Sequence, residues 1–178
     1  MTPVPYVADF LTKAEADSLF AACEALPHVR LKNPRNSSFY RKVKYPSYSF
    51  PFTDAPPEIR MIADRLTQLA GKQIMHIGIG GYANAHDGMN YHQHKKDHGV
   101  IADQTIYVVS VGDDREIGIR RKGERGKGET FRAAHGSLYI LPHAYNTTHE
   151  HSVLENKTPC GLRFCIDAST ENRPWNGD

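Results

Sequence analysis

The sequence predicts a mainly β protein with flanking helices, in the form of an antiparallel sandwich or jelly roll. From residue 73 onward, short segments rich in β-forming residues are separated by Gly, Asp, Asn or Pro, and no helical period lies among them. Strands at this spacing without intervening helices favour antiparallel pairing. The predicted strands are Gln73–Ile79, Gln104–Val111, Glu116–Arg121, Gly136–Leu141, His149–Leu154 and Leu162–Ala168.

A first helix is predicted directly after Thr12-Lys13-Ala14-Glu15, because this stretch has the form of a capping box. Apolar residues then recur at helical spacing, and Pro27 ends the pattern. The residues on the predicted apolar face are Ala16, Leu19, Phe20, Cys23 and Leu26.

A second helix is predicted to begin near Asp54, with Pro56 and Pro57 in its first turn and Gly71 as its C-terminal stop. Neither helix could bury its apolar face alone, so we expect both to pack on the β segments. The apolar stripe of the second helix comprises Ile59, Ile62, Ala63, Leu66 and Leu69.

The composition fits one folded domain. The chain has 178 residues, and 22 Lys and Arg against 20 Asp and Glu leave a net charge of +2, which excludes a histone-like or strongly acidic protein. We expect a single domain over residues 1–178, with an N-terminal helical and lid part over about 1–72 and a β core over about 73–170.

The sequence predicts neither a membrane span nor a signal peptide. No run approaches the ~18 apolar residues of a membrane helix, and the N-terminus has neither a basic start nor an apolar stretch. Three cysteines without a CxxC pair argue against a disulfide framework, and Cys165, among apolar neighbours, is expected in the core. We expect a monomer in a reducing compartment, the cytoplasm.

Two segments combine positive charge with aromatic or flexible residues. Ser37 to Phe52 interleaves Arg and Lys with six Tyr and Phe residues, and is either an edge strand or hairpin over the core or a lid that stacks on a planar substrate group. The Gly-rich stretch Arg115–Arg132 carries seven Lys and Arg against three Glu, and is either a solvated loop or a loop that contacts phosphate.

The histidine pattern indicates a metal site. Nine of the ten histidines lie between His76 and His151. On a strand, His92 and His94 would point to the same face, and a second His-x-His pair is formed by His149 and His151. Two or three imidazole nitrogens with a nearby carboxylate suit a divalent transition metal such as iron, zinc or copper.

An arginine in an apolar strand adds a second expectation. Arg163 follows His151 by 12 residues and lies between Leu162 and Phe164. A buried guanidinium is costly unless it meets an anion. The partner is either the carboxylate of a ligand, held by two parallel hydrogen bonds, or a buried Asp or Glu of the protein.

The order of these segments resembles the AlkB-like 2-oxoglutarate- and Fe(II)-dependent dioxygenases over most of the chain. The matching segments are Tyr6–Asp17, Tyr82–Asn84 leading to His92, Val108–Gly112, His135–Leu141, His151–Val153 and Arg163. The resemblance implies a double-stranded β-helix, the cupin-like jelly roll, which agrees with the strand pattern.

The resemblance also implies the roles of individual residues. His92 and His151 would bind iron, Arg163 would bind the distal carboxylate of 2-oxoglutarate, and Tyr82 would hydrogen-bond this cosubstrate. The implied cofactors are Fe(II), 2-oxoglutarate and O₂. The implied reaction is hydroxylation or oxidative demethylation of a nucleobase in DNA or RNA, as in DNA repair.

The sequence departs from the family at two positions. The family's first motif is His-x-Asp, whereas His94 stands at its third position and Asp97 follows three residues later. We expect His94 to complete the metal triad; a bulge that brings Asp97 inward and an inactive member are the alternatives. Ser169 stands where the family has a second arginine, which concerns the arrangement of the cosubstrate's reacting end or the substrate channel.

Three functions therefore remain open at this point. The first is the oxygenase acting on nucleic-acid bases, and the second is the same chemistry on a protein side chain or small molecule. The third is a non-catalytic, zinc-stabilised β-barrel binding module. Tyr107, Tyr139 and His135 either line the pocket or belong to the core.

Overall fold

The described part of the chain forms two antiparallel sheets and three helices. The computed structural model describes residues 3–26, 40–41, 48–51, 55–93 and 105–171, with the backbone alone for 40–41 and 48–51. The helices are α1 (Lys13–Ala25), α2 (Pro57–Ala70) and α3 (His143–Thr148).

The strands, numbered in chain order, are β1 (Tyr6–Val7), β2 (Tyr40–Arg41), β3 (Tyr48–Pro51), β4 (His76–Tyr82), β5 (Gly88–His92), β6 (Ile106–Gly112), β7 (Arg115–Arg121), β8 (Glu129–Ala133), β9 (Ser137–Leu141), β10 (His149–Val153) and β11 (Arg163–Ser169). One sheet has the order β1-β9-β6-β11-β4-β3 and the other β2-β5-β10-β7-β8. Every pairing is antiparallel, so the predicted antiparallel jelly roll is confirmed.

Both predicted helices form, and their ends follow the predicted signals. The Thr12 side chain accepts from the backbone N–H of Glu15, and the Glu15 carboxylate accepts from the backbone N–H of Thr12 at 2.8 Å, which completes the capping box. The second helix ends at Gly71, whose φ is 65°. The prediction for Leu69 was wrong, because this side chain is 53% exposed, beyond the edge of the stripe that α2 buries.

The six-stranded sheet separates two apolar clusters. An outer cluster packs α1 and α2 against one face of the sheet and includes Val109, Phe164 and Ile166. An inner cluster lies between the two sheets and includes Val108 and Ile117. Because side chains alternate along a strand, each central strand contributes to both clusters.

The structure contains elements that the sequence pattern did not predict. Strand β7 corresponds to the predicted strand Glu116–Arg121, but β8, which pairs with it to form a hairpin, lies in the stretch expected to be a loop. Short helix α3 lies where the pattern indicated strands alone. The other predicted strands form, with ends shifted by up to three residues, as from Gln73 to His76 at the start of β4.

The segment Ser37 to Phe52 contributes one edge strand to each sheet. Strand β3 pairs with β4, and β2 pairs with β5. The rest of the predicted lid lies outside the described residues. No helix in the described ranges is both long enough and apolar enough to cross a membrane.

One carboxylate, that of Glu15, both caps α1 and joins it to α2. Its Oε1 lies 2.6 Å from Nη2 of Arg65, and these hydrogen bonds lower the pKa of Glu15 to about 2. The folded state therefore holds this carboxylate ionised at a pH where the unfolded chain binds a proton.

We expect Glu15→Gln to reduce the acid sensitivity of folding. A folded-state pKa below the unfolded value contributes stability that is present above about pH 4.5 and is lost as the pH falls toward about 2. Urea unfolding at a series of pH values from neutrality downward measures this. Glu58→Gln, at an exposed position in the first turn of α2, is the control. An unchanged pH slope in Glu15→Gln would contradict the assignment.

Candidate functional site

Two histidines from neighbouring strands lie side by side on the inner face of the five-stranded sheet. His92 ends β5 and is the register partner of His151 in β10. Their ring centroids are 4.2 Å apart and the rings are tilted by 50°. An irregularity in the pairing follows between His151 and Val153. Two imidazoles this close can share one metal ion.

The surroundings of His92 suit a metal ligand. Its Nδ1 lies 2.9 Å from the carbonyl oxygen of Asn90, the kind of outer contact that orients a metal-binding imidazole. Burial lowers the pKa of His92, which favours the neutral imidazole. Metal ions bind that neutral form.

The predicted third ligand cannot be placed. His94 and the alternative Asp97 both lie outside the described residues. Within the ranges that the structure describes, no three His, Cys, Asp or Glu side chains gather closely enough to hold a metal ion.

Gln93 directly follows His92, and its side chain contacts the segment that leads to His151. Its Nε2 lies 3.0 Å from the carbonyl oxygens of Asn146 and Thr147 and 3.2 Å from that of His149. These carbonyls end α3 and begin β10, so one amide fixes the segment that leads to His151.

Arg163 lies fully buried on the inner face of the six-stranded sheet. Its Nη2 donates to the hydroxyl of Ser110 at 2.8 Å, whereas Nε and Nη1 are buried without a hydrogen-bond partner. No carboxylate in the described ranges lies within ion-pair distance of this guanidinium. Of the two partners left open by the sequence, a protein acid is therefore not observed among the described residues, and the ligand carboxylate stays open.

Tyr82 lies between two buried guanidinium groups. It is the register partner of Arg163, whose Cζ is 5.4 Å from the centroid of the Tyr82 ring. The Cζ of Arg115, at the start of β7, is 5.8 Å from the same centroid. Both arginines are 0% exposed. The interior beside Tyr82 thus carries an excess of positive charge, which favours an anionic ligand.

The strand that carries Arg163 lies beside glycines of a neighbouring strand. Along β11, Cys165 and Asp167 share the inward face with Arg163, and both are half-buried. Their partners on β4 are Gly80 and Gly78. A Cβ at residue 78 would lie 2.6 Å from Oδ1 of Asp167, so only glycine leaves that carboxylate its place. Cys165 packs against the inner apolar cluster, as expected of a small core residue.

Three further candidates lie apart from one another. Tyr107 packs in the outer cluster with the helices, and Tyr139 packs in the inner cluster, where burial raises the pKa of its phenol. His135 accepts from the backbone N–H of Gly112 at 2.8 Å and lies 3.1 Å from Oδ1 of Asp17 in α1. Tyr107 is thus a core residue, and His135 joins a turn to a helix.

In the hairpin of β7 and β8, the positive charges along the strands are largely paired with carboxylates, whereas those at the tip are not, within the described part of the chain. Arg121, Lys122 and Arg125 at the tip are exposed. Arg120 also stacks on Tyr91, with its Cζ 3.8 Å from the ring centroid. The ion pairs along the strands are Arg120–Glu150, Lys127–Glu116 and Arg132–Asp114.

Sequence reasoning missed two residues of this site. Ser110 is the hydroxyl partner of Arg163, and Arg115 was counted among the loop charges. The period of two in Arg115, Ile117 and Ile119 places the arginine on the apolar, inward face of its strand, and this signal could have identified it.

Comparison with known proteins finds similar sequences and similar folds. The chain is 29% identical over 167 aligned positions to the DNA oxidative demethylase ALKBH2 of Bos taurus, which covers 79% of this chain and 59% of the relative. Its fold matches the structure of OsALKBH1 with a TM-score of 0.66 and 12% identity, over 95% of this chain and 99% of the other. The chain is AlkB-like.

Other solved structures share the fold of this AlkB-like chain. A Pseudomonas putida prolyl-4-hydroxylase matches with a TM-score of 0.60 and 12% identity, over 96% of this chain and 94% of that one. HygX from Streptomyces hygroscopicus, with nickel and 2-oxoglutarate bound, matches with a TM-score of 0.63 and 11% identity, over 94% and 82%. The fold is therefore the double-stranded β-helix that the sequence resemblance implies.

No family model matches the chain. The AlkB-like chain spans 59% of the length of its curated relative.

We expect His92→Ala or His151→Ala to weaken metal binding strongly, because each removes one of two adjacent imidazoles. Titration of the metal-free protein with Co²⁺, followed by absorbance, measures affinity and coordination number. His86→Ala is the control, because His86 is exposed and lies before β5.

The same titration on His94→Ala and Asp97→Ala separates the two candidates for the third ligand. The one that binds the metal should lose affinity and change the absorbance spectrum when substituted. If neither substitution changes the spectrum, the third ligand lies elsewhere in the chain.

Proposed function

We propose that this AlkB-like chain is an Fe(II)- and 2-oxoglutarate-dependent oxygenase. The observation that carries the proposal is the buried Arg163, whose Nε and Nη1 have no partner in the described structure. A ligand carboxylate placed against the guanidinium would give an acceptor to one of these buried donors, paired with Nη2 in the fork geometry that a guanidinium favours.

The residues present fit the proposed metal and cosubstrate. His92 and His151 would hold the iron, with His94 as the proposed third ligand. Arg163 would bind the distal carboxylate of 2-oxoglutarate, with Ser110 fixing the guanidinium at 2.8 Å. Tyr82, the register partner of Arg163, is placed to contact the same ligand. A ligand held between the two sheets would thus reach from Arg163 toward the histidine pair.

When bound, iron and 2-oxoglutarate supply the oxidation of a substrate C–H bond by O₂, with succinate and CO₂ as the products of the cosubstrate. The protein supplies position and exclusion of water. Buried Val108, Tyr139 and Ile119 of the inner cluster keep the space between the sheets apolar. In such a space the charge of Arg163 acts on a carboxylate with little screening.

For the substrate we propose a base in DNA or RNA. The sequence relative is named as a DNA oxidative demethylase, which supports this choice. The exposed cations Arg121, Lys122 and Arg125 at the hairpin tip could contact phosphate. A target base would leave its stack to enter the site, at a cost of a few kcal/mol. The three free cysteines fit the reducing interior of a cell, and we propose the cytoplasm.

A protein side chain is the second candidate substrate. The observation that favours it is the fold match to prolyl hydroxylases, which covers nearly the whole chain. A net charge of only +2 also does not require a nucleic-acid partner.

We expect succinate formation that requires both Fe(II) and 2-oxoglutarate, and we expect Arg163→Ala to abolish it at moderate cosubstrate concentration while metal still binds. Loss of the guanidinium removes the bidentate contact and a charge-assisted pair of hydrogen bonds, each ~1.5–3 kcal/mol. Succinate is measured by mass spectrometry and metal by Co²⁺ titration. The matched control is Arg132→Ala, an exposed arginine on β8.

Two outcomes would contradict this proposal. Turnover unchanged in Arg163→Ala would exclude the role of the arginine. Tightly held zinc together with no response to 2-oxoglutarate would instead favour a zinc-stabilised binding module.

We expect coupled turnover with oligonucleotides that carry N-methylated bases and none with a proline-containing peptide. Mass spectrometry of both substrates after incubation with the loaded enzyme measures demethylation and hydroxylation. Arg121→Glu combined with Lys122→Glu should weaken turnover of the oligonucleotide and reduce its salt dependence. Hydroxylation of the peptide alone would replace the nucleic-acid proposal with the second candidate.

A further inference from the structure

Arg115 is a fully buried arginine that contacts two different connecting segments of the site. The first connector, residues 83–87, joins Tyr82 at the end of β4 to the strand that carries His92. The second, residues 154–162, joins the strand that carries His151 to Arg163. Each connector therefore links a proposed cosubstrate residue to a proposed metal ligand.

The contacts to the first connector are hydrogen bonds to backbone carbonyls. Nη1 of Arg115 donates to the carbonyl oxygen of Asn84 at 2.7 Å, and Nη2 donates to the carbonyl oxygen of Asp87. The connector is itself folded tightly, because the backbone N–H of Ala83 donates to Oδ2 of Asp87 at 2.6 Å. One guanidinium thus holds both ends of a short turn, and it does so away from water.

The contact to the second connector is made through a thiol. Nη1 of Arg115 also lies 3.0 Å from Sγ of the half-buried Cys160, 45 residues along the chain. The two connectors also contact each other directly, since the backbone N–H of Asn156 donates to the carbonyl oxygen of Ala85 at 2.9 Å. Arg115 therefore lies where the two connectors meet.

The placement of Arg115 is more specific than packing requires. Its Nε is buried without a partner, and no carboxylate in the described ranges pairs with its charge. A buried unpaired cation is unfavourable for the fold alone. Ile117, the next inward-facing residue of β7, shows that an apolar side chain suits this face of the strand.

We propose that Arg115 is a positioning residue that couples the cosubstrate side of the site, Tyr82 and Arg163, to the histidine pair. This inference rests on the proposed function. With its carbonyl contacts intact, Tyr82 and His92 keep a fixed separation across the 83–87 turn. Through Cys160, the same guanidinium sets the spacing between His151 and Arg163.

The first test is Arg115→Lys, which keeps the charge but can reach only one connector with its single ammonium. We expect 2-oxoglutarate to bind about ten- to a hundred-fold more weakly, the usual effect of losing an outer partner of a metal site. Calorimetry with Mn²⁺ in place of iron, without oxygen, measures the dissociation constant. The matched control is Ile62→Val in α2, which removes one buried methyl group on the other side of the six-stranded sheet.

A second measurement needs neither metal nor cosubstrate. In the metal-free protein, we expect the amide protons of Ala83 and Asp87 to exchange faster with solvent in Arg115→Lys, because the turn loses a carbonyl contact. Ile62→Val should leave these amides unchanged.

Cys160→Val supplies a variant that tests the second connector alone. It removes the sulfur that Arg115 contacts, so 2-oxoglutarate affinity should fall in the same direction but by less. Because both changes act on one junction, their effects on the dissociation constant should not add in the double variant.

The outcomes separate this inference from the proposed function. If the natural protein binds neither Mn²⁺ nor 2-oxoglutarate, the proposed function fails, while hydrogen exchange still tests the junction. If Arg115→Lys binds 2-oxoglutarate as tightly as the natural protein, or if Ile62→Val weakens binding equally, the positioning role is overturned. If Arg115→Lys does not fold, an unchanged 2-oxoglutarate dissociation constant in Cys160→Val overturns it instead.

Discussion

The site depends on a buried guanidinium whose hydrogen bonds are incomplete. Nη2 of Arg163 donates to Ser110 between the sheets, and its Nε and Nη1 are buried without an acceptor among the described residues. Protein interiors rarely leave such donors unpaired, because each costs the full desolvation of the group. The structure tolerates this cost at the place where a carboxylate would remove it, beside Tyr82 and across from the histidine pair. In the proposed function, the ligand would therefore complete the interior of the protein as well as its chemistry.

The two apolar clusters have different roles in the fold. The outer cluster packs α1 and α2 against the six-stranded sheet and makes that sheet rigid from behind. The inner cluster is smaller, and polar groups interrupt it at Arg163, Cys165 and Asp167. A strand such as β11 serves both at once because its side chains alternate. Phe164 and Ile166 pack it against the helices, and this fixes where the neighbouring guanidinium of Arg163 can lie.

Local patterns in the sequence predicted much of this arrangement. They could not predict contacts between residues that are far apart in the chain. The capping box at Thr12 and Glu15 is a local signal, and the helix begins there. Helix α3 contains Asn and Thr, which disfavour helix, and the amide of Gln93 binds its last carbonyls from about 53 residues away. Strand β8 has one large apolar residue, Phe131, and forms as the partner of β7. The burial of Arg115 likewise depends on carbonyls of a distant turn. The histidine pair and Arg163 were visible because their residue types are unusual on strands.

The glycines on β4 have a consequence for how the pocket could change. Gly78 and Gly80 lie beside Asp167 and Cys165, whose side chains fill the space that a Cβ on either glycine would need. Of these four residues, only Cys165 and Asp167 can be shortened. Variation in specificity would therefore arise at these two side chains or on the opposite sheet, and directed evolution of this scaffold would be most productive there.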